Sequence, residues 1–217
     1  MKIGKITATE NGPYRVERVK KVVNARGDVL GTDEEMWLCR CGGSGNKPFC
    51  DGTHKTNGFS GVNPEIHMTN ETVAYEGKDI TIYDNRNICS HRGYCTGELP
   101  TVFKETEPWI DPDGDTADKI MALCDKCPSG ALSYALKDQD RHQGHAPPPQ
   151  VRLSEKHFGF HGPYDVTGHV SFEGQLNRAP ESPNKMTLCR CGHSKNKPFC
   201  SGEHYNIGFI DAKNDID

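Results

Sequence analysis

The chain predicts a β-rich α+β architecture in which two copies of one small unit flank a third, α+β unit. Three observations carry that expectation. The first is a duplication: 38–59 (LCRCGGSGNKPFCDGTHKTNGF) and 188–209 (LCRCGHSKNKPFCSGEHYNIGF) align without a gap and agree at 15 of 22 positions. Gly12-Pro13-Tyr14 and Val16 match Gly162-Pro163-Tyr164 and Val166 at the same offset, so the repeated unit reaches well upstream of the shared loop. The second is composition. Only 34% of 217 residues are hydrophobic and the mean hydropathy is −0.73, too little apolar material for pieces of roughly fifty to a hundred residues to build large cores. The third is punctuation: short alternating runs are broken by Gly and Pro, with one capped helical stretch in the middle. The expected divisions are a first unit over 1–62, a middle unit over 63–138, a Pro-rich linker over 139–156 and a second unit over 157–217.

Each element has a local reason. Residues 12–37 alternate as short strands (YRVERVKKVV, a Gly27-Asp28 turn, then VLG), and 38–50 hold too many Gly and Pro for helix or strand. Asp51 is a good N-cap for a short helix through His54, which Gly58 ends; Ser201 and Gly208 repeat the plan. In the middle, 79–84 and 131–136 read as strands, and Asp115 or Thr116 caps a helix over about 117–126. Three consecutive prolines make 139–156 a semi-rigid, extended linker. Asp111, Asp113 and Asp115 read as a turn, because the Gly and Glu of a calcium loop are not correctly spaced.

Six of the ten cysteines fall in the duplicated pattern Cys39-x-Cys41-x8-Cys50-x3-His54 and Cys189-x-Cys191-x8-Cys200-x3-His204. Three thiolates and one imidazole suit zinc or an iron–sulfur cluster, and bound metal adds folding free energy that a small core lacks. Zinc knuckles usually present two close pairs, which this spacing does not. Ser44, Asn46, Pro48, Gly52 and the glycines after Cys41 let backbone N–H groups approach bridging sulfides. Gly52 leaves room where a Cβ would meet the centre.

The run C-x-C-x2-S-x3-P-x-C-D-G-T-H at 39–54 resembles the CDGSH iron–sulfur (mitoNEET-like, NEET) family. The resemblance implies two [2Fe–2S] clusters, one on Cys39, Cys41, Cys50 and His54, the other on Cys189, Cys191, Cys200 and His204. Family protomers pair into small β-rich dimers, so tandem copies imply an intrachain pseudo-dimer: a monomer with internal pseudo-two-fold symmetry. The second copy departs from the pattern at Ser201 and Glu203. One neutral imidazole per cluster raises the reduction potential above that of four-Cys ferredoxins and ties the cluster to pH.

Cys89, Cys95, Cys124 and Cys127 remain. Cys89-x5-Cys95 keeps the first and third positions of a bacterial ferredoxin motif, Arg92 stands at the second, and Cys127-Pro128 supplies the remote Cys-Pro. The stretch from about 80 to 136 is similar to a divergent single-cluster 4Fe–4S ferredoxin domain. A [3Fe–4S] cluster on Cys89, Cys95 and Cys127, a [4Fe–4S] cluster completed by Cys124, and a ferredoxin-like fold without a cluster all remain open.

The expected function is one-electron transfer or redox sensing. The alternatives are iron–sulfur cluster storage and transfer, and a zinc-stabilised binding module. The partner is then a redox protein or an apo-acceptor. The net charge of −4 with scattered basic residues argues against nucleic acid. No apolar run approaches the roughly 18 residues of a membrane helix, and cysteine-rich metal sites suit a reducing, cytoplasmic setting. No nucleophile, general base or phosphate loop is evident, so no enzyme is expected. Trp37 and Trp109 read as packing residues; His91, His142, His145, His157 and His161 read as solvated.

Overall fold

Alternation of apolar and polar side chains builds the strands of both repeats. The computed structural model describes residues 3–63, 71–142, 147–174, 180 and 182–214. Strand β1 (Gly4–Ala8) buries Ile6 and Ala8 and turns Lys5 and Thr7 outward, and β2 (Tyr14–Glu17) buries Tyr14 and Val16. Short strands β3 (Val22–Val23) and β4 (Val29–Gly31) and then β5 (Glu35–Leu38) complete the first repeat. The middle unit holds β6 (Val73–Glu76), β7 (Ile80–Asp84), α1 (Tyr94–Glu98), α2 (Ala117–Lys126) and β8 (Leu132–Leu136). Its sheet runs β6-β7-β8, antiparallel throughout. Helix α2 buries Ile120, Leu123 and Cys124, the i, i+3, i+4 stripe expected of a helix lying on a core. Strands β9 (Gln150–Leu153), β10 (Tyr164–Thr167), β11 (Val170–Gly174) and β12 (Lys185–Leu188), then α3 (Glu203–Asn206), form the second repeat.

The repeats do not fold side by side; they exchange strands. One sheet runs β11-β1-β2-β5 and the other β12-β10-β9-β3-β4. Strand β11 lies parallel to β1 with Phe172 opposite Ile6, and β3 lies parallel to β9 with Val22 opposite Val151. Val22 and Phe172 stand 150 positions apart, the offset of the sequence repeat (172 − 22). The exchange is therefore reciprocal. Ile6, Tyr14, Val16 and Leu38 from one repeat and Val151, Tyr164, Val166 and Leu188 from the other share one core. Tyr14 and Tyr164 meet edge to face at 6.2 Å near its middle. Two apolar-poor repeats reach a workable core by pooling it.

Two expectations change here. Residues 150–153, read as linker, are extended but form β9, paired with β10 on one side and β3 on the other. Val151 and Leu153 alternate with polar neighbours, and the unpaired edges of β10 and β3 accept them. Strands β1 and β6 carry little signal in the sequence, because each is short and has few large apolar residues. Residues 64–70, just past the expected boundary at 62/63, and linker residues 143–146, with His145, lie outside the described residues. Among those described, no helix is long and apolar enough to cross a membrane.

Candidate metal centres

Each cysteine loop is closed by its own backbone. Cys39 N donates to Pro48 O (2.7 Å) and Cys50 N to Trp37 O (2.8 Å), while Ser44 Oγ donates to Phe49 O and accepts from Asn46 N. The second loop repeats these bonds at Cys189, Cys200 and Ser194. Immediately after Cys50 the chain must turn sharply. Gly52, at φ 92, makes that turn and delivers the one-turn helix Thr53–Lys55; Gly202, at φ 82, does the same for α3. The caps are thus the glycines and not Asp51 or Ser201. Asp51 instead accepts from Thr53 N, Thr53 Oγ1 and Gly45 N, which hold its carboxyl well below the usual range and tie helix to loop. Ser201 Oγ accepts from Lys195 N. Gly58 and Gly208 are left-handed and end these turns, at φ 72 and 63.

These turns bring the eight candidate ligands together as pairs. Cys39 Sγ lies 3.8 Å from Cys41 Sγ, and Cys50 Sγ lies 3.4 Å from His54 Nδ1. The second site gives 3.7 Å for Cys189–Cys191 and 3.5 Å for Cys200–His204. Backbone N–H groups of Gly43, Gly52 and Gly202 point at Cys41, Cys50 and Cys200, each at 3.4 Å. Among the described residues no three His, Cys, Asp or Glu side chains gather closely enough to hold one metal ion.

Burial sets the electrostatics. It pushes the Cys39 thiol up to about 11 and that of Cys200 higher still, and it pulls His204 down to about 4, with Arg92 and Arg190 adding to the effect. A metal ion would take the place of the proton on these two thiols, and burial keeps the His204 imidazole neutral and able to ligate. Together with the aimed N–H groups, this donor set fits an iron–sulfur cluster.

The loops are clasped across the repeats. Tyr14 Oη donates to Cys189 O and Pro198 O, both 2.9 Å away, and Tyr164 Oη donates to Cys39 O and Pro48 O at 2.9 and 3.0 Å. Both tyrosines belong to the repeated Gly-Pro-Tyr, which marks the duplication in the sequence without naming this role. Removing a hydroxyl takes the side-chain donor from the buried Cys189 or Cys39 carbonyl, at about 1–3 kcal/mol, while Pro198 O and Pro48 O keep their backbone donors. Tyr14→Phe should therefore speed iron loss from the second site and Tyr164→Phe from the first. Chelator-driven release, with the untested site removed by Cys50→Ser or Cys200→Ser, checks this crossed pattern; release from the variant's own repeat would contradict it.

The two sites differ in cover. Cys189, Cys191, Cys200 and His204 are all buried, whereas Cys41, Cys50 and His54 are half-buried. The middle unit makes the difference. Tyr205 Oη donates to His91 O (3.2 Å), Asn196 Nδ2 to Asn87 O, and Arg92 to Glu155 O. Arg92, at the missing ferredoxin ligand position, is buried and joins the units. His91 is exposed as expected, yet its ring lies over Gly202.

In the middle unit, Cys89, Cys95 and Cys127 line one cavity of about 30 Å³ with Asp84 and Arg86. Cys124 packs instead with Ile120 and Leu123. Burial raises Cys89 to about 12 and raises Cys95, while Arg86 Nη1 (3.5 Å) and His91 N (3.4 Å) point at Cys89 Sγ. Asp84, raised to about 6 by burial, faces Arg86. No sequence signal marked Arg86, whose guanidinium stacks on Trp109 at 3.5 Å. Two further readings change. His161 is buried and accepts from Asp211 N, and Trp37 is substantially exposed.

Comparison with known proteins assigns families to the three units. Residues 11–55 and 161–205 match the family described as iron-binding zinc finger CDGSH type, and 75–137 match the family described as divergent 4Fe-4S mono-cluster. The uncharacterized protein YjdI of Escherichia coli K12 is 39% identical over 64 residues, spanning 29% of this chain and 84% of YjdI. The same figures hold for YjdI of Escherichia coli O157:H7. No solved structure gives a significant match. The duplicated loop, its paired thiols and imidazole, and these matches lead to one conclusion: the chain belongs to the CDGSH-type iron-binding family, with two such domains and a divergent 4Fe-4S mono-cluster domain between them.

Proposed function

We propose that the protein is a one-electron carrier and not an enzyme, with one [2Fe–2S] cluster on Cys39, Cys41, Cys50 and His54 and another on Cys189, Cys191, Cys200 and His204. A third cluster would sit on Cys89, Cys95 and Cys127. Bound clusters would supply a site that gains and loses single electrons with little rearrangement. The protein's residues do the rest. Paired donors in each loop suit two ligands per iron, Gly N–H groups stabilise sulfur charge, and the crossed tyrosines hold both loops rigid.

The observation that carries the reading is contiguity. Backbone pairing joins Cys41 to Cys191, and the loop bearing Cys89 packs on the loop bearing Cys200 and His204. Three candidate centres on abutting loops suit internal electron exchange. Storage and delivery of clusters to an apo-acceptor is the second reading, favoured by the partial exposure of Cys41, Cys50 and His54.

Iron, sulfide and zinc analysis of anaerobically purified protein, with its visible spectrum, tests both. About four irons are expected from the two loops and seven or eight with the middle site filled. Cys50→Ser should remove about two, and Cys127→Ser only the third centre. Colourless protein with about two zincs would overturn the proposal in favour of a zinc-stabilised module. Rapid, stoichiometric cluster loss to an apo-ferredoxin would favour delivery.

A further inference from the structure

The two repeats carry the same loop but different outer faces. In the second, β12 is buried along its length, with Lys185 7% and Thr187 1% exposed. The middle unit covers it: Lys185 Nζ donates to Cys124 O and Asp125 O, and Gly202 and Tyr205 meet His91. At the same offset in the first repeat, Glu35 is exposed and Trp37 is 40% exposed. Gly52 and Lys55 stand where Gly202 and Tyr205 touch the middle unit. Trp37 hydrogen-bonds Glu35 through Nε1, and the Arg15 guanidinium lies 5.8 Å from its ring. Its carbonyl accepts from Cys50 N, so this face adjoins a candidate ligand directly.

We propose that the face formed by Glu35, Trp37, Gly52 and Lys55 docks an external one-cluster ferredoxin-type electron carrier. The inference rests on the electron-carrier reading and names the partner of the first site. The argument is internal symmetry. The chain's own mono-cluster unit occupies the equivalent face of the second repeat, so the fold already shows which kind of domain this surface receives. The differences suit a partner that must leave again. Trp37 replaces Thr187 and supplies an aromatic anchor of the type that dominates interfaces. Lys55 replaces Tyr205 and supplies a solvated cation, which speeds encounter more than it tightens binding. In the exchange one electron leaves the reduced carrier and one enters this protein, with no bond made or broken.

Stopped-flow reduction of the full, cluster-loaded protein tests this, with a reduced single-cluster [4Fe–4S] ferredoxin as the probe. Trp37→Ala should slow the second-order step about tenfold. Lys55→Glu should slow it and flatten its dependence on salt. Phe158→Ala, which removes an 81%-exposed ring beside Tyr205 on the second repeat, should leave the rate unchanged. Visible spectra and melting temperatures identify any variant that has lost its fold, and Lys55→Glu serves if Trp37→Ala has. Equal rates in all variants, or slowing by Phe158→Ala alone, would overturn the docking face and leave the electron-carrier reading standing. Self-association through Trp37 in the absence of probe would assign the face to a second copy and overturn the proposal. Reduction by dithionite but not by the ferredoxin also overturns the docking face. Reduction by neither overturns the electron-carrier reading itself.

Discussion

Asp211→Ala is expected to destabilise the protein by about 3–5 kcal/mol, because it strands a buried guanidinium. Arg190 lies between Cys189 and Cys191, and its side chain and that of Asp211 are only 2% and 1% exposed. Arg190 Nη1 donates to Asp211 Oδ2 at 2.6 Å and Nε donates to Gly162 O at 2.8 Å. The rings of Tyr164 and Phe209 flank it. Without the carboxylate, a full charge stays in an apolar setting with one carbonyl for company. At roughly 2–4 °C per kcal/mol for a chain of this size, the melting temperature should fall by about 10 °C. The second site should lose iron first. The decisive comparison is the double variant Arg190→Met with Asp211→Ala, which removes both charges and should recover much of the loss. A double variant as unstable as the single would mean that geometry, and not stranded charge, was the cause. The first repeat supplies a natural contrast: Arg40 meets the carbonyls of Thr9 and Gly61 and needs no carboxylate.

That contrast shows what the sequence could and could not disclose. The loops were legible because their chemistry is local: four donors within sixteen residues, flanked by glycines that only a tight turn requires. The helix over 117–126 and the strands at 79–84 and 131–136 were legible for the same reason, each carrying its own apolar period, although Thr116 at the helix start makes no side-chain cap bond. The strand exchange was not. Parallel pairing of β1 with β11 joins residues over 160 positions apart, and no periodicity within either strand names its partner. The exposure of Trp37 is not legible in the sequence, because it depends on what the middle unit covers. In β12 that cover exists; in β5 the same pattern faces outward. The choice among Cys89, Cys95, Cys124 and Cys127 also needed three dimensions. Helical spacing places Cys124 near Cys127, yet the same spacing puts it on the stripe that builds the core.

The closest approach of the two repeats yields the other large effect. At Gly42, φ is 76, and an added Cβ would sit 2.5 Å from Cys191 O and 2.9 Å from its carbonyl carbon. Gly192 mirrors this, at φ 84 and 2.5 Å from Cys41 O. The obstructing atoms are backbone, held by the Cys41–Cys191 pairing, so no side chain can rotate away to make room. Gly42→Ala or Gly192→Ala must therefore prise the loops apart. The left-handed conformation alone costs about 1–2 kcal/mol for alanine; with the clash, the total should exceed about 4 kcal/mol. Both sites should lose iron together, unlike the crossed, one-sided effect of Tyr14→Phe. Gly27→Ala isolates the cause, since Gly27 has φ 95 but nothing within 4 Å of its missing Cβ. It carries the conformational cost without the collision. If Gly192→Ala proved no worse than Gly27→Ala in melting temperature and iron content, the loops would not abut where the two repeats meet. The contiguous path between the two sites would then be lost, and with it the strongest support for internal electron exchange.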